Sequence, residues 1–291
     1  MKYKIILMST IIVIQCFFLS ACLNENEKTE NLIRLRLWDR GVKVESRHDS
    51  AGFAYLWFYE WHLFDAVKSG EHTPGTSNWK WQIDSSGVLA QMDSEWLKLK
   101  LEATADGADM VLDITNISDH DWPEIAAIIP CFNPGADSRK TTDAIANPVF
   151  FDRSHTNTYF LGKSGLELIK GEEYPREIHF NYKYRSSVMA WHKENEDGQF
   201  VFNDKWPTSQ RNAHAGLIIR ESEDNKWATG IAWQSYLSVQ GHNPWKCMHL
   251  SVRVGPLKRG EKKTMRGKIY LFKGSKENLL NRYKKDFSRS Q

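Results

Sequence analysis

Cysteine is scarce, with four residues in 291. Cys16 and Cys22 fall in the first 22 residues, which leaves Cys131 and Cys247 for the body of the chain, as one disulfide or as two buried thiols. A disulfide-dense small fold is excluded, and so is a cysteine-rich metal knuckle. Charge of one sign is missing as well. The chain carries 39 Lys and Arg against 36 Asp and Glu, a net +3, with no basic run dense enough to bind nucleic acid by counterion release. No apolar run reaches the roughly 20 residues of a membrane-crossing helix, since Ile5 to Leu19 stops short of that length. Internal repeats, low-complexity tracts and Pro/Gly/Ser linkers are absent, as are a Gly-rich phosphate loop, a G-x-S-x-G elbow and an H-E-x-x-H helix.

What is present begins at the first residues. Lys2 and Lys4 precede the apolar run, which ends in Leu19-Ser20-Ala21-Cys22, the small-residue pattern at which a bacterial lipoprotein signal is cut before cysteine. The expectation is a signal peptide over 1–21, lipidation at Cys22, an acidic tether over 22–31 and one domain over 32–291. Asn24-Glu25-Asn26-Glu27 resembles the post-cysteine segment that sends Bacteroidetes-type lipoproteins to the outer surface, and a plain solvated linker has the same composition. The expected location is the cell envelope, lipid-anchored to the outer membrane, with the membrane as a partner and nucleic acid not.

Strand signals dominate from about residue 35 to residue 273. Leu97, Leu99 and Leu101 alternate with Lys98, Lys100 and Glu102, the period of a half-buried strand. Beyond the turn Ala105-Asp106-Gly107, Met110, Leu112 and Ile114 repeat that period, so the two segments predict an antiparallel hairpin. Leu250, Val252 and Val254 alternate with Ser251 and Arg253, and further strand residues (Met265, Ile269, Leu271) follow the turn 255–260. One helix is predicted over Glu277 to Phe287, capped by Ser275, with Leu279, Tyr283 and Phe287 on one face as a latch on a sheet. The aromatic-rich segment Ala54 to Lys68 reads equally as strand or short helix. Many strands, short turns and no alternating helices predict an all-β chain: a large antiparallel β-sandwich with a short C-terminal helix.

The run Val111-Leu112-Asp113-Ile114-Thr115-Asn116-Ile117-Ser118, then Asp121-Trp122-Pro123-Glu124 and a new apolar strand, resembles a passage common in galactose-mutarotase-like supersandwich proteins. It covers about twenty residues, and immunoglobulin-like sandwiches use similar turns. Together with the lipoprotein signal it resembles accessory lipoproteins of bacterial polysaccharide-utilisation systems. It is also similar, more faintly, to supersandwich lyases and to dehydratases of uronic-acid oligosaccharides such as those from ulvan. That resemblance implies an oligosaccharide partner and a carbon–oxygen lyase. Twelve tryptophans point the same way, because flat rings beside polar donors suit sugar rings.

Candidate site residues cluster in the second half. Gly241 and Pro244 punctuate a loop carrying His242, Asn243 and Trp245, and the next strand sets Cys247, His249, Ser251 and Arg253 on one face. A second cluster is Arg211-Asn212-Ala213-His214, and a third, Arg153, His155, Asn157 and Tyr159, alternates along one segment. For β-elimination beside a uronate, Arg211 or Arg253 would neutralise the carboxylate, His214 or His242 would take the C5 proton, and Tyr236 would donate one to the departing oxygen. Trp245, Trp233, Asn243 and His249 complete the substrate contacts. A glycan-binding protein without turnover would use Trp245, Trp233 and Trp191 instead, and each histidine also has a purely structural reading. His242 and His249 are seven residues apart with no third ligand nearby in sequence, so neither metal nor cofactor is expected.

Overall fold

The computed structural model describes residues 32–38, 41–50, 52–60, 80–134, 147–150, 156–169, 178–194, 208–242 and 247–288. The leader, Cys22, the tether, Arg153, His155, Asn243 and Trp245 lie outside them. The strands are β1 (Ile33–Trp38), β2 (Gly41–Ser46), β3 (Phe53–Glu60), β4 (Trp81–Ile83), β5 (Leu89–Asp93), β6 (Leu97–Thr104), β7 (Gly107–Thr115) and β8 (Ala127–Asn133). They continue as β9 (Thr158–Gly162), β10 (Gly165–Leu168), β11 (His179–Phe180), β12 (Leu217–Glu221), β13 (Trp227–Trp233), β14 (Tyr236–His242), β15 (Cys247–Arg253) and β16 (Lys262–Lys273). Two helices accompany them, α1 (Arg185–Glu194) and α2 (Lys276–Phe287).

Among the described residues the strands form two sheets, a seven-stranded one ordered β1-β2-β3-β8-β15-β14-β11 and a nine-stranded one ordered β10-β9-β12-β13-β16-β7-β6-β5-β4. Every strand pairing within them is antiparallel. The all-β sandwich read from the sequence is therefore what the chain builds. No helix among the described residues is long and apolar enough to cross a membrane.

Local pattern explains where the core sits. In β6 the leucines face inward and Lys98, Lys100 and Glu102 outward, the alternation of a sheet wetted on one side. By contrast β12 and β13 are buried at every position. Their inward side chains, such as Ile218, Ile231 and Trp233, join the main core, while Leu217, Ile219, Ala228 and Ala232 pack under Leu279, Tyr283 and Phe287 of α2. Ser275 caps that helix by accepting from the Asn278 amide, and Asn278 returns a bond to the Ser275 amide. The turn before β7 needs Gly107, whose φ of 152° disfavours any side chain and whose Cα lies against the Ile269 carbonyl.

Two features differ from the sequence reading. α1 is a second helix that the apolar periodicity does not announce. The strands flanking residues 255–260 do not pair, because β15 belongs to one sheet and β16 to the other. A second crossing, from β7 to β8, runs through the Thr-Asn-x-Ser passage, and Asn116 ties the two crossings together. Its amide nitrogen donates to the carbonyls of His120 and Leu257, both at 2.9 Å, and its oxygen accepts from the Ser118 amide at 3.0 Å. Trp122 closes the knot, donating from Nε1 to Ser118 Oγ at 3.0 Å and from its amide to Leu257 at 2.9 Å. Segment Ala54 to Lys68 begins as β3, and its remainder beyond Glu60 lies outside the described residues.

Candidate functional site

The face of the seven-stranded sheet turned away from the core carries the most unusual chemistry. On β15, Met248, Leu250 and Val252 enter the main core, so Cys247, His249 and Ser251 occupy the opposite face, as the period of two requires. On β8, Ile128 and Phe132 are core, which puts Cys131 and Asn133 beside them on that outer face. The register sets His249 directly across from Cys131 and Gln240 across from His249. Cys131, Asn133, Ser238, Gln240, Cys247, His249 and Ser251 are all buried.

These side chains touch one another. Ser238 Oγ and Ser251 Oγ lie 2.8 Å apart, the Gln240 amide nitrogen lies 3.5 Å from His249 Nδ1, and Asn133 Nδ2 donates to Cys247 Sγ at 3.6 Å. The two sulfurs and one His249 nitrogen all lie within 4.8 Å of each other. An aromatic wall adjoins them, in which the Trp38 ring sits 4.4 Å from Tyr55 and 5.0 Å from Trp57, packed with Cys131 and Cys247. Pro130 precedes Cys131 in β8, and opposite it the pairing with β3 shifts register between Trp57 and Glu60. A proline that cannot donate to the ladder accounts for that irregularity beside the cluster.

The predicted site residues fall into separate places. Tyr236 and His242 stand at opposite ends of β14, six residues and roughly 20 Å apart at strand rise, so one proton-transfer pair cannot include both. His242 pairs with Cys247 through the backbone, next to the cluster, whereas Tyr236 lies at the far end, near Arg211 and His214. There its hydroxyl is buried and donates to the Ala213 carbonyl at 3.1 Å, and burial raises its pKa. Trp233 is fully buried in the main core, away from any surface a sugar could reach. Asn243, Trp245 and Cys22, the expected lipidation site, lie outside the described residues, as does the side chain of Trp191.

The arginines are also committed to the protein. Arg211 donates to the Leu168 carbonyl at 2.9 Å, lies 3.6 Å from the Glu167 carboxylate and covers the Phe160 ring. Arg253 donates to Glu124 at 2.6 Å and sits 4.0 Å over the Tyr184 ring, so its charge is already balanced. His214 stacks flat on Tyr182 with ring centres 4.4 Å apart, at the far edge from the cluster. His249 is buried, with a ring nitrogen within 4.8 Å of the sulfurs of Cys131 and Cys247. Of the third group, Tyr159 lies under the Lys276 ammonium, 5.1 Å away. Sequence reasoning assigned no site role to Cys131, Asn133, Gln240 or the Tyr55/Trp57 wall. Gln240 alone had a local signal, two residues before His242 on the same strand; the others reach the site only by strand pairing.

No protein-family model matches the chain, and no curated protein matches it. Among solved structures it is similar to a galactose mutarotase-like protein from Lactobacillus casei ATCC 334, with 10% identity, a TM-score of 0.44, and 85% of this chain and 98% of that one covered. A galactose mutarotase-like protein from Clostridium acetobutylicum matches with 10% identity and a TM-score of 0.41, covering 84% and 93%. A polysaccharide lyase matches with 10% identity and a TM-score of 0.39, over 86% of this chain and 34% of the lyase. At these values the likeness transfers no residue and no activity.

Proposed function

We propose that this protein is a carbohydrate-active lipoprotein, a carbon–oxygen lyase acting on uronic-acid-containing oligosaccharides at the outer face of its seven-stranded sheet. The observation that carries the reading is the row of buried polar side chains on β8, β15 and β14 set against the Trp38, Tyr55 and Trp57 wall. Amides and hydroxyls packed beside flat rings are the side-chain chemistry from which sugar sites are built, and here they lie beneath the strand end that carries His242. Lipidation at Cys22 and an outer-membrane location belong to the same proposal and rest on the leader sequence.

The reaction is a β-elimination. A base takes the C5 proton, its electron pair becomes the C4=C5 double bond, and the C4–O bond breaks with a proton delivered to the leaving oxygen. Water leaves in a dehydration, and a saccharide whose anomeric oxygen takes the proton leaves in chain cleavage. We assign the base to His242, the histidine whose backbone adjoins the polar row, because His214 is at the other edge and His249 is buried beside the two sulfurs. The former acid Tyr236 has no part in it.

The test follows ultraviolet absorbance and product masses with a panel of uronate oligosaccharides. His242→Ala is expected to lower turnover by about 100-fold or more, the usual worth of a general base, with binding within a few-fold. Tyr236→Phe is expected to leave turnover within about two-fold and to cost roughly 1 kcal/mol of stability from one lost hydrogen bond. Binding without a new chromophore would instead establish a glycan-binding protein, a reading favoured by the separation of His214 and Tyr236 from His242.

A further inference from the structure

We infer that Cys131, Cys247 and His249 form a binding site for a thiophilic divalent metal ion, zinc by preference, with two thiolates, one imidazole and a water as ligands. In sequence the two cysteines of this set are 116 residues apart, counted from their positions, and no ligand spacing announces them. The sheet brings them together. Cys131 and His249 are direct cross-strand partners, and Cys247 precedes His249 by two residues on the same face, so the three donors project from rigid backbone on two paired strands.

The distances suit a tetrahedral ion. Zn–S bonds of about 2.3 Å and Zn–N bonds of about 2.0 Å place ligand atoms roughly 3.5 to 3.8 Å apart around the metal. The three donors already lie within 4.8 Å of one another, and small rotations about Cα–Cβ bonds close the difference. The donor set is the soft one that selects zinc over magnesium or calcium, and two thiolates neutralise the ion's charge in a buried place.

The surroundings match a metal's outer shell. Asn133 directs an N–H to the Cys247 sulfur, the bond that stabilises a thiolate, and the Gln240 carboxamide meets His249 Nδ1 and can hold the imidazole in either tautomer. Gln240 supplies a second observation. Its side-chain oxygen is buried, with the residue 2% exposed, and finds no hydrogen-bond partner. With a metal on one ring nitrogen of His249 the other carries the proton, and a turn of the Gln240 carboxamide lets this oxygen accept it. The site shares the outer face invoked for sugars, but its readout, cobalt absorbance, does not depend on sugar turnover.

Binding is balanced by the loss of one proton from each thiol. The experiment titrates the full-length protein, reduced and stripped of metal, with cobalt(II) and then zinc(II), following absorbance and proton release. One equivalent of cobalt should bring up a thiolate-to-cobalt charge-transfer band, which zinc removes, with close to two protons released per ion. Cys131→Ser and Cys247→Ser should each lower the band by about half or more, and Gln240→Ala should weaken zinc binding by about 10- to 100-fold with the band intact. Circular dichroism on each variant separates loss of the site from loss of the fold. An unchanged absorbance spectrum on cobalt addition would overturn the site. So would a Cys131–Cys247 disulfide in the protein as purified that, once reduced, yields thiols blind to cobalt.

Discussion

Between pH 6.5 and pH 4 the protein is expected to lose about 3 kcal/mol of stability through one side chain, His179. His179 sits on β11 with its ring between the sheets, stacked on Phe160 of β9 at 4.2 Å and without exposure to solvent. Burial disfavours its charged form, and the cations of Arg211 and Arg185 add to that, while a bond to the Arg211 carbonyl opposes it only in part. Together they push the pKa from 6.5 down to about 4. The sign follows from which state binds the proton first. As pH falls below 6.5 the unfolded chain protonates its histidine while the folded chain does not, so the contribution is complete above 6.5 and is lost progressively toward 4. His179→Phe keeps an aromatic ring against Phe160 and removes the titration. Unfolding free energies of the two proteins in urea at pH 7, 5.5 and 4 should therefore converge or cross by about 3 kcal/mol over the range. Parallel curves would show that His179 is not the group responsible.

Lys268→Met is expected to destabilise the fold by roughly 1.5 to 3 kcal/mol, the cost of taking a charged hydrogen-bond donor from partly buried carboxylates. The Lys268 ammonium, buried on β16, lies 3.1 Å from Asp106, 3.5 Å from Asp109 and 3.1 Å from Asp286. Asp286 accepts from the Tyr270 hydroxyl at 2.8 Å, and Asp106 accepts from Arg282 at 2.7 Å. This network fastens α2 to the β6–β7 turn and to β16. Burial by itself would raise the Asp106 carboxyl, but Arg282 and Lys268 hold it below the ordinary carboxylate range, and the same acids raise Lys268. Two pH limbs follow. The Asp106 share of stability is present at neutral pH and lost as pH falls through its lowered pKa. The Lys268 share is present below the ordinary lysine pKa and lost as pH rises through the raised one. Urea unfolding should give the loss at neutral pH, and introducing Asp106→Asn beside Lys268→Met should recover part of it. If the double variant is no better than the single one, the carboxylate is not what Lys268 serves.

What the amino-acid sequence settled is local. Alternation in β6 and β7 marked a hairpin with one wet face, and Ser275 with Leu279, Tyr283 and Phe287 marked a capped helix with one apolar stripe. Period and cap depend on residues a few positions apart, so they can be read without knowing the partner. Tertiary structure alone decided the rest. β12 and β13 are buried on both faces because α2 covers the outer one, and no feature of their own distinguishes that cover from a second sheet. Residues 255–260 separate the sheets rather than joining a hairpin, since β15 pairs with β8 and β16 with β7. The site shows the same division. His242 and Tyr236 looked close in sequence but a strand is extended, so six residues hold them apart. Cys131 and His249 looked remote but are cross-strand neighbours, because sheet faces are shared by strands paired across long loops and not by residues adjacent in the chain.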